Sequence, residues 1–374
     1  MKIVDHKLIT GGFIFFILAV GIWNMFTPDQ AFSEQENRVL TQRPSLSIKG
    51  ILTGKYMTDY EAYLSDQFAG KIGWTTLKAK AEQWQGKRET NGVFIAKDGF
   101  LLEKFAKEED TFTRNIEQVK DFSRNNKARE VSFMLVPTSV EFYKDKLPLF
   151  AKVASQKTVL EKAEGLLADS VKFINIYPPL HAHKQEGIYF KTDHHWTMRG
   201  AYYAYAEAAE ALGFESYSMA DFSTKNVSTD FLGTYASKFV GFPVKPDVIE
   251  VFQPRFPVNY KVTDEATEVT HSLYQWDSLQ KRDQYSFFLH GNHSLQTIHS
   301  HVKNGRKLAI IKDSYAHVFI PFLANHYEEI HIIDLRYFHS GLNSYLEKNK
   351  LDDVLLLYNI PNFMADSNLI WLKS

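Results

Sequence analysis

Residues 307–323 read KLAIIKDSYAHVFIPFL. The aliphatic run at residues 308–311 is short and continuous, which is typical of a strand that is buried on both faces. A polar turn follows at Asp313 and Ser314, and a helical pattern begins directly after it. A strand, a turn and a helix in this order indicate a parallel sheet whose strands are connected by helices.

Similar apolar runs recur along the chain. They are EVSFMLVPTS near Val131, VKFINIY near Phe173, YSFFLHGN near Phe287, EIHIIDL near Ile332 and DVLLLYNI near Leu355. Helical stretches alternate with these runs, and near-continuous apolar strands are typical of a sheet covered on both faces. We therefore predict a three-layer α/β/α sandwich with a mainly parallel sheet.

Two further segments define the predicted globular domain, residues 90–374. Residues 91–102, NGVFIAKDGFLL, contain two short β-prone runs around a Lys-Asp-Gly turn, which predicts a hairpin at its start. Residues from about 216 to 282 are rich in Pro, Thr, Asp and aromatic residues and have no helical period. We interpret them as an insertion of loops and short strands, a kind of segment that often shapes a binding surface.

The N-terminal region carries a membrane-spanning pattern. Residues 8–26 read LITGGFIFFILAVGIWNMF without a charged residue, which is about the length needed to cross a hydrocarbon core. The flanking charges are Lys2 and Lys7 before the run, and Asp29, Glu34 and Glu36 after it. The positive-inside rule then predicts a cytoplasmic tail at 1–7, a single transmembrane anchor at 8–27 and an extracellular remainder. A cleaved signal peptide is the alternative, but the run is long and no small-x-small cleavage site follows closely.

Residues 28–89 are predicted to be a juxtamembrane stalk followed by helices. The stretch 33–47 is polar and contains a proline, which suits an exposed connection. From 56 to 84 apolar and aromatic residues recur at near-helical spacing, with a break around Gly70 and Gly73. Two helices fit this pattern best.

The composition excludes several classes of function. The 374 residues include 43 Lys and Arg against 44 Asp and Glu, so the net charge of -1 offers no electrostatic attraction for nucleic acid. The chain has 0 cysteines, which rules out disulfides, thiolate zinc sites and a cysteine nucleophile. Function must therefore be argued from particular polar residues.

Ser314 lies where a nucleophile is expected in such a fold. Ligands of open parallel sheets bind beyond the carboxyl ends of the strands. There the strand holds the serine in place, and the N-terminus of the next helix offers N–H groups to a developing oxyanion. The alternative is structural, since Asp313 or Ser314 can simply cap that helix.

A second candidate segment, residues 189–212, reads YFKTDHHWTMRGAYYAYAEAAEAL. A serine needs an imidazole to accept its proton, and the imidazole needs a carboxylate to set its tautomer; His195 and Asp193 are suited to these two roles. One alternative is that Asp193 caps the following helix beside packed histidines. Another is a metal site, which is disfavoured because adjacent histidines seldom point the same way; His181 and His183 lie nearby without standard ligand spacing.

The stretch KTDHHWTMRGAY resembles the signature of the DHHW family, and its Asp-x-His-Trp core resembles that of the alginate O-acetylation enzymes. Other passages agree: SEQENRVLTQRPSLS, DQFAGKIGW, NGVFIAKDGFLLEKF, LVPTSVEFYKDKLP, FFLHGNHS and IIKDSYAHVFIPFLANHYEEIHIIDLRYF. The resemblance covers most of the chain after Ser33 and implies an SGNH-hydrolase-like fold. It also implies a catalytic triad in which Asp193 orients His195, His195 acts as base and Ser314 attacks an acyl donor. His194 occupies a variable position of the motif.

Candidates for the remainder of the site are less specific. The oxyanion-hole candidates are the Ser314 N–H, Gly291, Asn292 and Asn359. An ordinary Gly-Asn turn explains Gly291 and Asn292 equally well, and the related sequences have Gly-Gly-Asn where this chain has His290-Gly291-Asn292. The candidates for substrate binding are Arg336, Tyr337 and Trp196, and aromatic residues of the insertion, such as Tyr235 and Phe239, are candidates for stacking on sugar rings. A solvated strand end explains Arg336 and Tyr337 equally well.

The resemblance implies a multi-pass membrane-bound O-acyltransferase as the partner that supplies the acyl group, and a polysaccharide as acceptor. The expected function is therefore membrane-anchored, extracytoplasmic O-acetylation of a cell-wall or exported polysaccharide, with no cofactor and no metal. A triad alone does not decide between water and sugar as acceptor. The alternatives are an extracellular carbohydrate acetyl esterase and a non-catalytic cell-wall assembly or binding protein.

Overall fold

The computed structural model describes residues 6–33, 38–106, 109–239, 243–264, 269–339 and 341–374. It divides into an N-terminal unit, Met1–Lys87 with Ser237–Pro243, and a C-terminal unit, Arg88–Ala236 with Val244–Ser374. The predicted cytoplasmic tail lies outside the described residues at positions 1–5, and so do the predicted acidic flanks at 34 and 36.

The N-terminal unit is largely helical. Its elements are α1 (His6–Phe26), β1 (Phe32–Ser33), β2 (Arg38–Val39), α2 (Ile48–Leu52), α3 (Lys55–Asp66) and α4 (Lys71–Trp84). Helix α1 is long and apolar enough to cross a membrane: an 18-residue window within it has a mean hydropathy of 2.0. The two helices predicted between 56 and 84 are present as α3 and α4. The break between them includes Gly70, whereas Gly73 lies inside α4.

The remaining strands are β3 (Glu89–Thr90), β4 (Val93–Ile95), β5 (Leu101–Glu103), β6 (Glu130–Val136), β7 (Lys172–Ile174), β8 (Phe222–Phe231), β9 (Asp247–Pro254), β10 (Tyr260–Asp264), β11 (Val269–Thr270), β12 (Leu295–Ser300), β13 (Lys307–Lys312), β14 (Glu329–Ile333) and β15 (Asp353–Asn359). The helices are α5 (Glu109–Asn125), α6 (Ser139–Phe142), α7 (Gln156–Leu167), α8 (Tyr177–Ala182), α9 (Met198–Ala211), α10 (Thr234–Ser237), α11 (Ile320–Leu323), α12 (Leu342–Lys348) and α13 (Ile360–Ala365).

In the part of the chain that the structure describes, the main sheet of the C-terminal unit has eight strands in the order β11-β10-β12-β14-β13-β15-β6-β7. The strands from β14 to β7 run parallel to one another, and β12, β10 and β11 extend the sheet by antiparallel pairing. The central strands β13, β15 and β6 are buried at nearly every position, as their continuous apolar sequences require. The predicted α/β fold with a mainly parallel sheet is confirmed.

One predicted strand is wrong. The run near Phe287 forms the 3-10 helix Gln284–Phe287, and the strand of this region is β12, eight residues further along. The side chains of Phe287 and Phe288 are fully buried. A buried strand has the same kind of short apolar run, so the sequence did not distinguish a strand from a tight helical turn.

The predicted hairpin at 91–102 is present as β4 and β5, with a 3-10 turn at Lys97–Gly99 between them. Within the described parts of the predicted insertion, β8 and β9 form a separate antiparallel pair. Strands β10 and β11 of the same region add to the edge of the main sheet.

Helix α9 places the Asp-His-His-Trp motif. Thr197 is its N-cap, and the Thr197 hydroxyl accepts a hydrogen bond from the Gly200 N–H at 3.2 Å. Gly200 packs so closely on the preceding chain that a Cβ there would lie 2.3 Å from the Ile188 carbonyl oxygen. The start of the helix, and with it the end of the motif, is therefore fixed by backbone contact.

Candidate active site

Ser314 lies at the carboxyl edge of the sheet, directly after β13. The carboxylate of the preceding Asp313 accepts hydrogen bonds from the Tyr315 N–H at 2.9 Å and from both the backbone and side-chain nitrogens of Asn359, at 2.8 and 2.7 Å. The Asn362 side chain donates a further bond at 3.1 Å. Burial raises the pKa of the Asp313 carboxyl, although these hydrogen bonds oppose the rise. The turn that carries the serine is thus tied to the end of β15.

The three predicted triad residues are brought together. The His195 Nε2 atom lies 2.8 Å from the Ser314 Oγ, across a sequence separation of 119 residues. On the other side of the ring, Nδ1 lies 2.5 Å from Asp193 Oδ1. The same carboxylate oxygen accepts the His195 backbone N–H at 3.0 Å. The distances are those of a serine, a base and an orienting carboxylate in hydrogen-bond contact.

The second oxygen of Asp193 is held by Thr234, a residue of the predicted insertion that the sequence analysis did not single out. Thr234 donates to Oδ2 through its backbone N–H at 2.7 Å and its hydroxyl at 3.0 Å. A Cβ at Gly233 would lie 2.2 Å from the Asp193 Cβ, so only glycine permits this approach. Burial disfavours the charged carboxylate, but the nearby His194 and His195 imidazoles and the hydrogen bonds lower the pKa of Asp193 overall.

Tyr285 is a further contact of the proposed base. Its ring stacks on the His195 imidazole with centroids 3.6 Å apart and planes 7° from parallel. Its hydroxyl donates to the Ser314 carbonyl oxygen at 3.2 Å. Burial raises the pKa of Tyr285 well above its usual value, so the hydroxyl remains a donor. The sequence did not identify Tyr285 as a contact of His195, because Tyr285 lies in an apolar run that is typical of a strand.

We expect Tyr285→Leu to slow acylation of the serine by about 10- to 100-fold, because loss of the stack lets the imidazole move away from Oγ. Tyr285→Phe keeps the stack and loses one hydrogen bond, so we expect a loss of about 10-fold or less. Acylation rates with an activated acetyl ester, measured beside melting temperatures, separate positioning from stability. Equal rates for Tyr285→Leu and the wild type would contradict the positioning role.

His194 lies beside the triad. Its Nδ1 is 2.7 Å from the Thr234 hydroxyl, and its carbonyl oxygen accepts a short hydrogen bond from the Tyr315 hydroxyl. Burial and the neighbouring His195 charge lower the pKa of His194 to about 4, so His194 is neutral near pH 7. His194 therefore connects the Asp-His-His-Trp motif to Thr234 and adds no positive charge to the site near pH 7.

The predicted contact of Trp196 with substrate is not supported by its position. Its side chain is fully buried, and its indole N–H donates to the Tyr315 carbonyl oxygen at 2.8 Å. The indole has no exposed surface to offer a ligand. Trp196 instead holds the turn that carries Ser314, through its hydrogen bond to the Tyr315 backbone.

Asp193, His194 and His195 also satisfy a spacing for metal ligands, since one ligand atom of each lies within 4.8 Å of the others. Both ring nitrogens of His195 already face hydrogen-bonding partners, Ser314 and Asp193. A metal ion would have to replace one of these contacts. The arrangement therefore favours a proton-transfer chain over metal ligation.

Two of the oxyanion-hole candidates are occupied elsewhere. Asn359 directs its backbone and side-chain N–H groups to Asp313, and its side-chain oxygen caps α13 by accepting the Asn362 N–H at 2.9 Å. The Gly291 N–H donates to the Phe288 carbonyl oxygen at 3.2 Å. These contacts hold the backbone of the site and are not directed at a reacting group.

Asn292 is placed differently. Its side-chain oxygen accepts hydrogen bonds from Lys312 Nζ at 3.3 Å and from Arg336 at 3.1 Å. Two cations at the oxygen orient the carboxamide, so the nitrogen is the group left to donate. Lys312 lies two residues before Ser314 in sequence. Its side chain is buried, and its Nζ atom lies 3.0 Å from the Asp334 carboxylate.

The remaining candidates for substrate binding differ in how accessible their side chains are to a ligand. Arg336 makes a bidentate ion pair with the buried Asp334, at 2.8 and 2.5 Å, so its guanidinium is largely committed. Tyr337 is 54% exposed and remains available for contact. Tyr235 and Phe239 are both buried, which leaves neither ring a face for stacking on a sugar.

The family model described as "DHHW protein" matches residues 103–333. Among solved structures, a DHHW family protein from Eubacterium siraeum is 25% identical, with a TM-score of 0.67 over 76% of this chain and 96% of that one. Bacillus cereus PatB1 is 20% identical: its structure with a sulfonyl adduct has a TM-score of 0.59 over 74% of this chain and 98% of that one. A second PatB1 structure has 20% identity and a TM-score of 0.60 over 72% and 97%.

No curated protein matches the sequence. The likeness to PatB1 shows a shared fold. The family match extends over more than half of the chain and includes the Asp193–His195 segment. The resemblance seen in the sequence is thereby confirmed, and the chain belongs to the DHHW family.

Proposed function

We propose that this protein is a membrane-anchored serine O-acyltransferase, which acetylates hydroxyl groups of a cell-wall or exported polysaccharide on the outer side of the membrane. The observation that carries the proposal is the continuous hydrogen-bond chain from Asp193 through His195 to Ser314. Such a chain converts a weakly nucleophilic hydroxyl into one that attacks esters.

In the first half of the reaction, His195 Nε2 takes the proton of Ser314 as Oγ bonds to the carbonyl carbon of the acetyl donor. Collapse of the tetrahedral intermediate breaks the bond to the leaving group, which receives that proton from His195. The Asp193 carboxylate keeps Nδ1 protonated and stabilises the imidazolium. The product is an acetyl ester on Ser314.

In the second half, His195 deprotonates a hydroxyl of the acceptor, and the resulting oxygen attacks the acetyl-serine carbonyl. Collapse breaks the bond between the acetyl carbon and Ser314 Oγ, which leaves the new ester on the acceptor, and His195 returns the proton to Oγ. For the negative oxygen of both intermediates we propose two donors, the Ser314 backbone N–H and the Asn292 carboxamide. The contacts of Asn292 with Lys312 and Arg336 support its part in this proposal.

The membrane context supports transfer to a polysaccharide. Helix α1 is long and apolar enough to anchor the protein, and cytosolic acyl donors do not cross a bilayer. An outward-facing enzyme therefore needs a partner to deliver the acyl group, which we propose is a multi-pass membrane-bound O-acyltransferase. The exposed Tyr337 is our candidate for contact with the acceptor.

The test uses the full chain in detergent with an activated acetyl ester, with and without wall-polysaccharide fragments. We expect intact mass spectrometry to show one acetyl group on Ser314, and added acceptor to become acetylated while free acetate falls. Equal acetate release without acceptor would identify an esterase instead. A sulfonyl fluoride, which forms a sulfonyl adduct with activated serines, is tested in parallel. Absence of an adduct with both reagents would contradict the triad.

A further inference from the structure

One face of helix α4 is an exposed apolar stripe. It consists of Trp74, Leu77, Ala81 and Trp84, spaced three and four residues apart, and we call it the α4 stripe. Leu77 is 61% and Trp84 is 92% exposed. Residues at this spacing share one side of a helix. An amphipathic surface helix normally turns such a face inward, so this outward stripe requires another apolar environment.

Helix α1 contacts the beginning of this same helix. The Phe16 and Trp74 rings meet edge to face, with centroids 6.1 Å apart. The Trp23 ring packs on the backbone of Gly70, where a Cβ would lie 2.7 Å from the ring. The Asn24 side-chain oxygen accepts the Ala69 N–H at 2.6 Å. The first turn of α4 therefore lies alongside the outer half of α1.

These contacts set the depth of α4 if α1 spans the membrane. Tryptophans of spanning helices concentrate at the interface, which is where Trp23 is placed. Phe16 lies seven residues before it, and at a rise of about 1.5 Å per residue it is about 10 Å deeper. Helices that lie in an interface insert their apolar face about 5–10 Å into the boundary between headgroups and acyl chains. The Trp74 ring, with its centroid 6.1 Å from that of Phe16, therefore lies within reach of that boundary.

We propose that α4 is an interfacial membrane helix whose stripe is covered by the acyl chains of the outer leaflet. Lys78 and Lys80 are exposed beside the stripe, which suits contact with anionic headgroups while their stems cover apolar surface. With 14 residues the helix is too short to cross the bilayer. The assignment rests on α1 as anchor and is independent of the acyl-transfer chemistry.

The absence of cysteine allows a direct test, because a single introduced cysteine is labelled uniquely. The full chain is reconstituted in nanodiscs of phosphatidylethanolamine and phosphatidylglycerol, and Leu77→Cys carries an environment-sensitive fluorophore. Phe13→Cys on α1 is the control for a lipid environment. Lys172→Cys, at an exposed position of β7, is the control for water. Acyl-chain spin-labelled lipid and iodide serve as the two quenchers.

We expect the Leu77→Cys label to show a blue-shifted emission, strong quenching by the spin-labelled lipid and loss of iodide quenching, as at Phe13→Cys. Iodide quenching as strong as at Lys172→Cys would place the stripe in water and overturn the proposal. Protection from both quenchers would show that protein covers the stripe, either a second copy or a membrane partner, and would also overturn it. Ester cleavage by each variant stays as in wild type, so a failure here is distinct from a failure of the triad.

Discussion

Replacement of Ser314 by alanine is expected to abolish acetyl-enzyme formation and to slow acyl transfer by about 10⁴-fold or more. The serine oxygen is the atom that we propose bonds to the acyl carbon, and its 2.8 Å contact with His195 Nε2 makes it the group whose proton the base can take. Alanine leaves the imidazole without a nucleophile to activate. Intact mass after incubation with the activated ester measures the adduct, and acceptor acetylation measures the transfer.

Ser286→Ala is the matched control. Ser286 follows Tyr285, and its hydroxyl donates to the Asp283 carbonyl oxygen at 2.7 Å without contacting the triad. Loss of one exposed hydrogen bond should leave the rate within about 10-fold of wild type. A Ser314→Ala protein that still carries one acetyl group would show that another residue is the nucleophile. Peptide mapping of the adduct would then identify that residue.

We expect Asp193→Asn to lower the rate of serine acylation by about 10⁴-fold while the fold is retained. Thr234 donates twice to Oδ2, so the asparagine oxygen takes that position and its nitrogen faces His195. An N–H directed at Nδ1 favours the imidazole tautomer with the proton on Nε2. That tautomer cannot accept the proton of the serine. Acylation kinetics, compared with the melting temperature of the same protein, measure the effect.

His194→Asn is the control within the same motif. It removes one ring contact with the Thr234 hydroxyl, and we expect a loss of about 10-fold or less. If Asp193→Asn and His194→Asn reduced the rate equally, the carboxylate would have no special role in setting the tautomer. A metal site would give a different pattern, with strong losses in both variants and sensitivity to chelators.

The strands that position the site were predictable because each is a continuous apolar run with a polar residue at its carboxyl end. Lys312 pairs with Leu357 in the parallel register of β13 and β15, so the turns after both strands lie at one edge. Asn359 was correctly placed at that edge. Its role was not predictable, because the direction of its N–H groups toward Asp313 depends on contacts across the sheet.

The run YSFFLHGN shows where the sequence pattern predicts the wrong secondary structure. Its aromatic residues are buried, as predicted, but in a 3-10 turn that lays Tyr285 on the His195 ring. Trp196 illustrates the opposite error, since its position next to the proposed base suggested contact with substrate. The structure places it fully inside the core. A side chain adjacent in sequence to a candidate catalytic group can point to either side of the chain.

The sequence by itself determined the α/β class, the membrane-spanning pattern of residues 8–26 and the segments that carry Asp193, His195 and Ser314. Each of these follows from local periodicity, from composition or from a short motif. Only the tertiary structure decided that Ser314 meets His195 across 119 residues, and that Thr234 and Tyr285 hold Asp193 and the imidazole in place. Those contacts join segments far apart in the chain, and their geometry follows from how strands, turns and the insertion pack, which no local pattern encodes.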